Sequence, residues 1–280
     1  METKEQGKSK MKKVLLFSAI ILELVLLLAS CGNRNGVILS DDGKIVIGVT
    51  RAGKKKCHID VPEGATAIGE RAFEACRNLK SITIPYGITK IEEKAFAYCT
   101  SLEDITLPQS LTTIGTGAFY TCTSLTALDI PQGVTEIGRF AFNNCVTLQS
   151  IRIPEGVTTI EFDTFSSCLS LKDVEILQGV KKIGVGAFWK CESLERIFIP
   201  QSVTEIGEDA FYGCSALERI EYGGTEANWQ NMKIAWDSPQ ENIVIVGDSE
   251  MLEKFFKSES PKNIVVTGND GTQWNTGGNR

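Results

Sequence analysis

The residues of this 280-residue chain best suited to chemistry are nine cysteines and a single histidine. Seven of the thiols, Cys76, Cys99, Cys122, Cys145, Cys168, Cys191 and Cys214, recur every 23 residues without an insertion. Thiols serve metal ligation, nucleophilic attack and disulfide formation. Metal ligation is disfavoured, because no Cys-x-x-Cys pair occurs and His58 alone is available to complete a zinc site. A Ser/His/Asp or Cys/His nucleophile would likewise have to be built on His58. Disulfides meet a geometric obstacle: in-register residues on stacked strands sit about 4.7–4.9 Å apart, whereas a disulfide wants Cβ atoms at about 3.8 Å. The expectation is a column of buried, unpaired thiols, with an occasional bridge as the alternative. Cys57 falls outside the register and reads as an inert cap or surface thiol, or else as the one thiol in an unusual environment.

Other constellations are as bland. Carboxylate pairs such as Asp173/Glu175 have the residue types for acid–base work on sugars, yet they read as outward positions of a solvated strand. Every Gly-x-x-Ala-Phe stretch belongs to the repeat, so none serves as a phosphate loop. No catalytic residue, metal or cofactor is expected, and the chain reads as a non-enzyme.

The elements that position these thiols share their period. Phe73, Phe96, Phe119, Phe142, Phe165, Phe188 and Phe211 precede each cysteine by three residues, and Leu79, Leu102, Leu125, Leu148, Leu171, Leu194 and Leu217 follow it by three. Then come apolar pairs such as Ile82/Ile84 and Ile151/Ile153, usually followed by proline (Pro85, Pro108, Pro131, Pro154, Pro200). Leu-x-x-Ile-x-Ile spells a short strand with alternate residues inward, and a proline, lacking an N–H, ends it. A second extended piece, Val-Thr-x-Ile-Gly, leads into the compact Gly-x-x-Ala-Phe-x-x-Cys turn. Each coil exposes its flanks until a neighbour stacks on it, so the core is continuous and stability sums nearest-neighbour terms. The fold class expected is a mainly β repeat solenoid of 23-residue coils, capped at both ends.

The pattern resembles the BspA-type leucine-rich repeat, over residues 57–222. The resemblance implies that fold and a range of adhesion and surface-interaction roles, with no shared catalytic motif. The chain departs from it at Glu92 and Glu161, which replace the glycine, at Leu177, which replaces the strand-ending proline, and at Thr164, which replaces the alanine. Glutamate disfavours positive φ, so the glycine position is not expected to demand it. The coil around 161–177 is expected to be the least regular.

Both ends look adapted to cover an open stack. Residues 37–56 read as a hairpin cap around the Asp42-Gly43 turn. Residues 223–250 read as a second cap, with a short helix from Thr225 and with Trp229 and Trp236 over the last coil. A weaker duplication, Asn242–Asp248 against Asn263–Asn269, suggests extra edge strands, and 251–280 reads as an extra edge strand followed by a polar, Gly/Asn-rich tail from Asn269 to Arg280 that is expected to be disordered.

The first thirty residues are of another kind. Lys8, Lys10, Lys12 and Lys13 precede an apolar run from Val14 to Ala29, with Met11 as a possible start. At about sixteen residues the run is short of the roughly twenty needed to span a bilayer, and Glu23 adds a cost. Residues 1–30 therefore read as a cleaved signal peptide. Leu28-Ala29-Ser30-Cys31 resembles a lipobox, which implies lipidation of Cys31 and a tether over 31–36. An ordinary cysteine after a plain signal, or a retained signal anchor, are the alternatives. Gly32 after Cys31 leans toward the outer membrane by resemblance to lipoprotein sorting. The implied location is an exported, membrane-anchored lipoprotein at the cell surface or outer membrane. Without residues 1–30 the chain carries 24 basic and 32 acidic residues. This excess disfavours nucleic acid and anionic lipid headgroups, leaving the lipid anchor as the membrane contact.

What remains for function is the surface. Outward positions of the sheet form two columns: Thr83, Thr106, Asp129, Arg152, Glu175, Phe198, Glu221, and Ser81, Asp104, Ala127, Ser150, Asp173, Arg196, Arg219. Asp129 with Arg152, and Arg152 with Glu175, are expected to pair across the ladder. Phe198 is an outward aromatic beside charges, a liability unless something covers it. The binding site is therefore expected around Phe198, Glu175, Arg196, Glu221, Arg152 and Asp129, with Tyr120, Trp189 and Tyr212 on the turn side as the alternative patch. The partner expected is a protein or glycan. An envelope-assembly role is the rival reading and a glycan-handling enzyme the remote one.

Overall fold

The computed structural model describes residues 36–224, 228 and 231–235, together with the backbone of 244–247, 265–268 and 273–275. Alternation of apolar residues produces two parallel ladders. The face ladder contains Ser81–Thr83, Asp104–Thr106, Ala127–Leu128, Ser150–Ile153, Asp173–Ile176, Arg196–Ile199 and Arg219–Tyr222, and the back ladder contains two-residue strands such as Glu136–Ile137 and Lys182–Ile183. Face strands bury alternate residues, as in the exposed-buried-exposed-buried pattern of Arg196–Ile199. The result is a mainly β solenoid of about eight coils with almost no helix.

Between the ladders lies one continuous core. The seven phenylalanines stack in a file, with ring centroids 5.1–5.6 Å apart and planes within 9°. Near-parallel rings at these centroid separations fall within the range of stacked aromatic pairs. Beside them the seven register cysteines are buried and free. From Cys99 onward each Sγ donates to the carbonyl of the phenylalanine one coil back, as in Cys145 to Phe119 at 3.2 Å. The thiol satisfies its one donor without needing a partner thiol. Burial pushes Cys145 up to about 12 and the end thiol Cys76 to about 11.

The compact turn holds a feature the residue types conceal. Two columns of it have left-handed backbone: Arg71, Lys94, Gly117, Phe140, Asp163, Gly186 and Asp209, at φ 52–61°, and Ala75, Tyr98, Thr121, Asn144, Ser167, Lys190 and Gly213, at φ 54–74°. This conformation turns alternate N–H groups toward the next coil. Each turn thereby sends three bonds across the interface, for example Arg71 to Glu93, Phe73 to Ala95 and Ala75 to Ala97, and the series runs unbroken to Lys190 with Tyr212 at 2.6–3.0 Å. Gly69, Gly115, Gly138, Gly184 and Gly207 are absent from the positive-φ set. Glycine is favoured there by proximity: a Cβ at Gly138 would lie 2.5 Å from Thr116 N. At Glu92, which departs from glycine, the carboxylate accepts from the Glu70 N–H at 3.1 Å.

The strand ladders, in contrast, are interrupted. On the face, Asp104–Thr106 is not bonded to Ala127–Leu128, nor Asp173–Ile176 to Arg196–Ile199. On the back, Glu136–Ile137 is not bonded to Thr159–Ile160. Two of these breaks flank the coil expected to be least regular, and there Val174 is only half-buried where its counterparts Ile151 and Ile197 are buried. Thr164, in the alanine column, is fully buried and donates its hydroxyl to the Glu161 carbonyl at 2.9 Å.

At the start, Val37–Leu39 pairs antiparallel with Ile45–Val49, which pairs in parallel with Ala67–Ile68. The Asp42-Gly43 turn is closed by Gly43 N–H to the Ser40 carbonyl, 2.8 Å. At the far end Val244–Gly247 and Val265–Gly268 extend the face ladder in parallel, and Gln273–Asn275 returns antiparallel. Trp229, Trp236 and most of the helix expected from Thr225 lie outside the described residues, as do residues 1–35 with Cys31.

Candidate interaction face

The six residues expected to bind come together. Asp129, Arg152, Glu175, Arg196, Phe198 and Glu221 line one shallow groove of about 620 Å³ on the sheet face, floored by Leu128, Ile151, Val174 and Ile197. The strands impose this, because every second residue of each must point away from the core. Phe198 is 45% exposed, a large value for a phenylalanine in a strand. Its ring leans over Gly223, so near that a Cβ there would fall 2.6 Å from Cζ. The interruption between Asp173–Ile176 and Arg196–Ile199 lies within the groove.

Charges around the ring are only partly matched. Arg152 pairs with Glu175 and Arg219 with Glu221, each at 2.9 Å. The expected pair of Asp129 with Arg152 is absent. The strand Ala127–Leu128 ends one residue before Asp129, so the ladder does not carry its side chain into register with Arg152. Such exposed pairs contribute about 0–1 kcal/mol each and leave the charges available to a partner.

The turn-side patch divides. Tyr120 packs edge-on against Tyr98, centroids 5.3 Å apart, while Trp189 stacks on Tyr212 at 6.3 Å with Lys190 Nζ 4.3 Å from the indole centroid. Between them stand Asn143 and Ser166 of the same column, and a third ring pair, Phe140 with Phe162, at 5.1 Å. These rings form three local pairs in place of one surface.

His58 bridges two coils at the other end of the face. Its Nδ1 lies 2.7 Å from Ser81 Oγ and its Nε2 3.0 Å from Asp60. Hydrogen bonds from His58 and Thr83 hold the Asp60 carboxyl below its usual value. The trio has the residue types of a hydrolytic triad, but it sits exposed and does not line the groove. Among the described residues no group of three His, Cys, Asp or Glu could hold a metal ion, and no helix is long and apolar enough to cross a membrane.

The 23-residue coil with its phenylalanine file, thiol column and outward face can be compared with known proteins. The profile described as BspA type Leucine rich repeat region matches in six copies over residues 53–168 and 112–235. The chain belongs to this BspA-type family. A leucine-rich repeat protein from Bacteroides ovatus is 27% identical, covers 85% of this chain and 68% of its own, and superposes with a TM-score of 0.56. The leucine-rich repeat protein of T. pallidum is 25% identical over 65% of this chain and 86% of its own, at 0.47. The pneumococcal vaccine antigen PcpA is 22% identical over 83% and 46%, at 0.44. No curated protein matches. Leucine-rich repeat families are typically binding scaffolds, and BspA-type membership supports a protein-interaction role in general.

Proposed function

We propose that this chain is an exported lipoprotein, held at the bacterial surface by acyl chains on Cys31, whose sheet face mediates adhesion or another protein contact. The observation that carries the reading is Phe198, an exposed aromatic in a groove with mixed charges on its rim. A rigid aromatic contributes contact area at low entropy cost, and flanking charges set orientation. The lipobox-like segment supports the anchor, since burial contributes about 0.8 kcal/mol per methylene and several chains make a durable tether.

Two experiments test it. Phe198→Ala weakens binding to a partner found among matrix proteins by about 2 kcal/mol while folding is retained, and Thr83→Ala does neither. If both are neutral while Trp189→Ala or Tyr212→Ala is harmful, the turn side is the binding face. Cys31→Ala releases the protein from the membrane fraction; unchanged fractionation and unchanged lipid labelling overturn the anchor.

A further inference from the structure

We propose that the same face binds a second copy of this chain, the two solenoids lying face to face with their coil orders reversed. The inference rests on the reading of the sheet face as the binding face, and it names the partner. Its basis is the order of residues along the outward columns. Ser150–Ile153 and Asp173–Ile176 are paired in register, with Arg152 opposite Glu175. From the midpoint between these strands the columns run one way through Ser150/Arg152, Ala127/Asp129 and Asp104/Thr106. They run the other way through Asp173/Glu175, Arg196/Phe198 and Arg219/Glu221.

A twofold axis along the strands at that midpoint preserves each column and reverses the coils. It sets Arg152 against Glu175 of the second copy, and Ser150 against Asp173, a hydroxyl against a carboxylate. Asp104 then meets Arg219, and Thr106 meets Glu221. On the remaining rung Ala127/Asp129 meets Arg196/Phe198. Crossing that rung, Arg196 reaches Asp129 and the Phe198 ring covers the small, exposed Ala127. In the four contacts outside that rung each charge thus faces an opposite charge or a hydroxyl directly, and within it Asp129 meets Arg196, and Phe198 meets Ala127, along the diagonal. Such self-complementarity is what an isologous interface requires.

The alternative orientation lacks this match. With the coils running the same way the columns exchange, and Asp173 faces Glu175, two carboxylates together. Like charges across an interface disfavour that orientation. Within one chain, Asp104, Asp129, Asp173 and Arg196 are exposed and make no ion pair among the described residues, so their charges are open to a second copy. Six rungs extend the contact over at least about 24 Å at the paired-strand spacing of about 4.8 Å, two of the five steps being unpaired. The reversal places the two N-terminal ends at opposite ends of the pair, as suits chains anchored on two facing surfaces.

The test is sedimentation velocity of the full chain in a mild detergent, from low to high micromolar concentration, with circular dichroism to verify folding. The expected result is a monomer–dimer equilibrium. Asp129→Arg alone, and Arg196→Asp alone, raise its dissociation constant at least about tenfold by opposing like charges, and the two together restore it. A wild-type chain that stays monomeric throughout overturns the proposal. So does a dimer that ignores the single reversals or is not restored by the pair. Should Phe198→Ala abolish binding to another protein in a chain that never dimerises, the binding face stands and the pairing falls.

Discussion

The ring of Phe198 rests on the backbone of Gly223, where a Cβ would intrude to 2.6 Å from Cζ. Gly223→Ala is therefore expected to lift the ring off its seat without disturbing the core, since position 223 is itself exposed. Affinity for a partner of the sheet face falls about tenfold, or about 1.4 kcal/mol, in a titration, while the melting temperature stays near that of the parent. Unchanged affinity would mean that the ring's pose is immaterial.

Phe142 has a ring on each side, both at 5.4 Å, whereas Phe73 has one, at 5.1 Å. Phe142→Ala should cost about 3–5 kcal/mol in urea unfolding. Phe73→Ala should cost less, because fraying of a terminal coil spares the rest of the stack. Equal losses would show that the body unfolds as one block and not coil by coil.

The buried thiols predict alkaline sensitivity. Their ordinary value is 9.0, and burial raises Cys145 to about 12 and Cys76 to about 11. Above pH 9 an unfolded chain loses thiol protons that the folded chain keeps. The unfolded state then binds fewer protons, so stability falls as pH rises from 9 toward 12. Urea midpoints measured across that window should drop steeply, and replacing Cys122 and Cys145 by alanine should flatten the drop. In the native state at pH 8, Cys57, which is exposed, should react with a thiol reagent well before the seven buried cysteines.

The left-handed columns predict substitutions of opposite sign. Ala75 is exposed and sits at φ 56°. Ala75→Gly should stabilise the chain by up to about 1 kcal/mol, because an L-residue in that conformation carries a steric cost of roughly 1–2 kcal/mol. Gly117, at φ 59°, has no neighbour nearer than 3.4 Å to a new Cβ, so Gly117→Ala isolates the strain and should destabilise by a similar amount. Thermal unfolding of both variants checks the pair.

Much of this was legible in the residues. The Phe, Leu and Cys columns carry the coil, and alternation within Arg196–Ile199 places Arg196 and Phe198 outside. The left-handed columns were not, because their occupants include Arg71, Tyr98 and Phe140, which hide the requirement. Gly117, Gly186, Gly213, Asn144, Asp163 and Asp209, all tolerant of positive φ, were the available signal. Tyr98 with Tyr120, and Phe140 with Phe162, join adjacent columns, so no single column of the repeat displays them. The missing bond between Asp173–Ile176 and Arg196–Ile199 depends on how far two strands separate, which side-chain identity specifies weakly. Leu177 in place of proline and Thr164 in place of alanine hinted only at where irregularity would fall.

The unbroken bonds of the turn and the interrupted strand ladders together give the solenoid a preferred way to deform. Three bonds at every interface from Arg71 to Tyr212 bind the coils along one edge. At the opposite edge the step from Asp173–Ile176 to Arg196–Ile199 has no ladder bond to break. At that step the back ladder stays paired, Lys182 with Glu205 and Ile183 with Ile206, so fanning the coils about the bonded turn and back changes the width of the Phe198 groove without breaking a face bond, while sliding one coil past another strains the turn and back bonds at once. The face can match partners of differing curvature, and the register of its columns survives the adjustment.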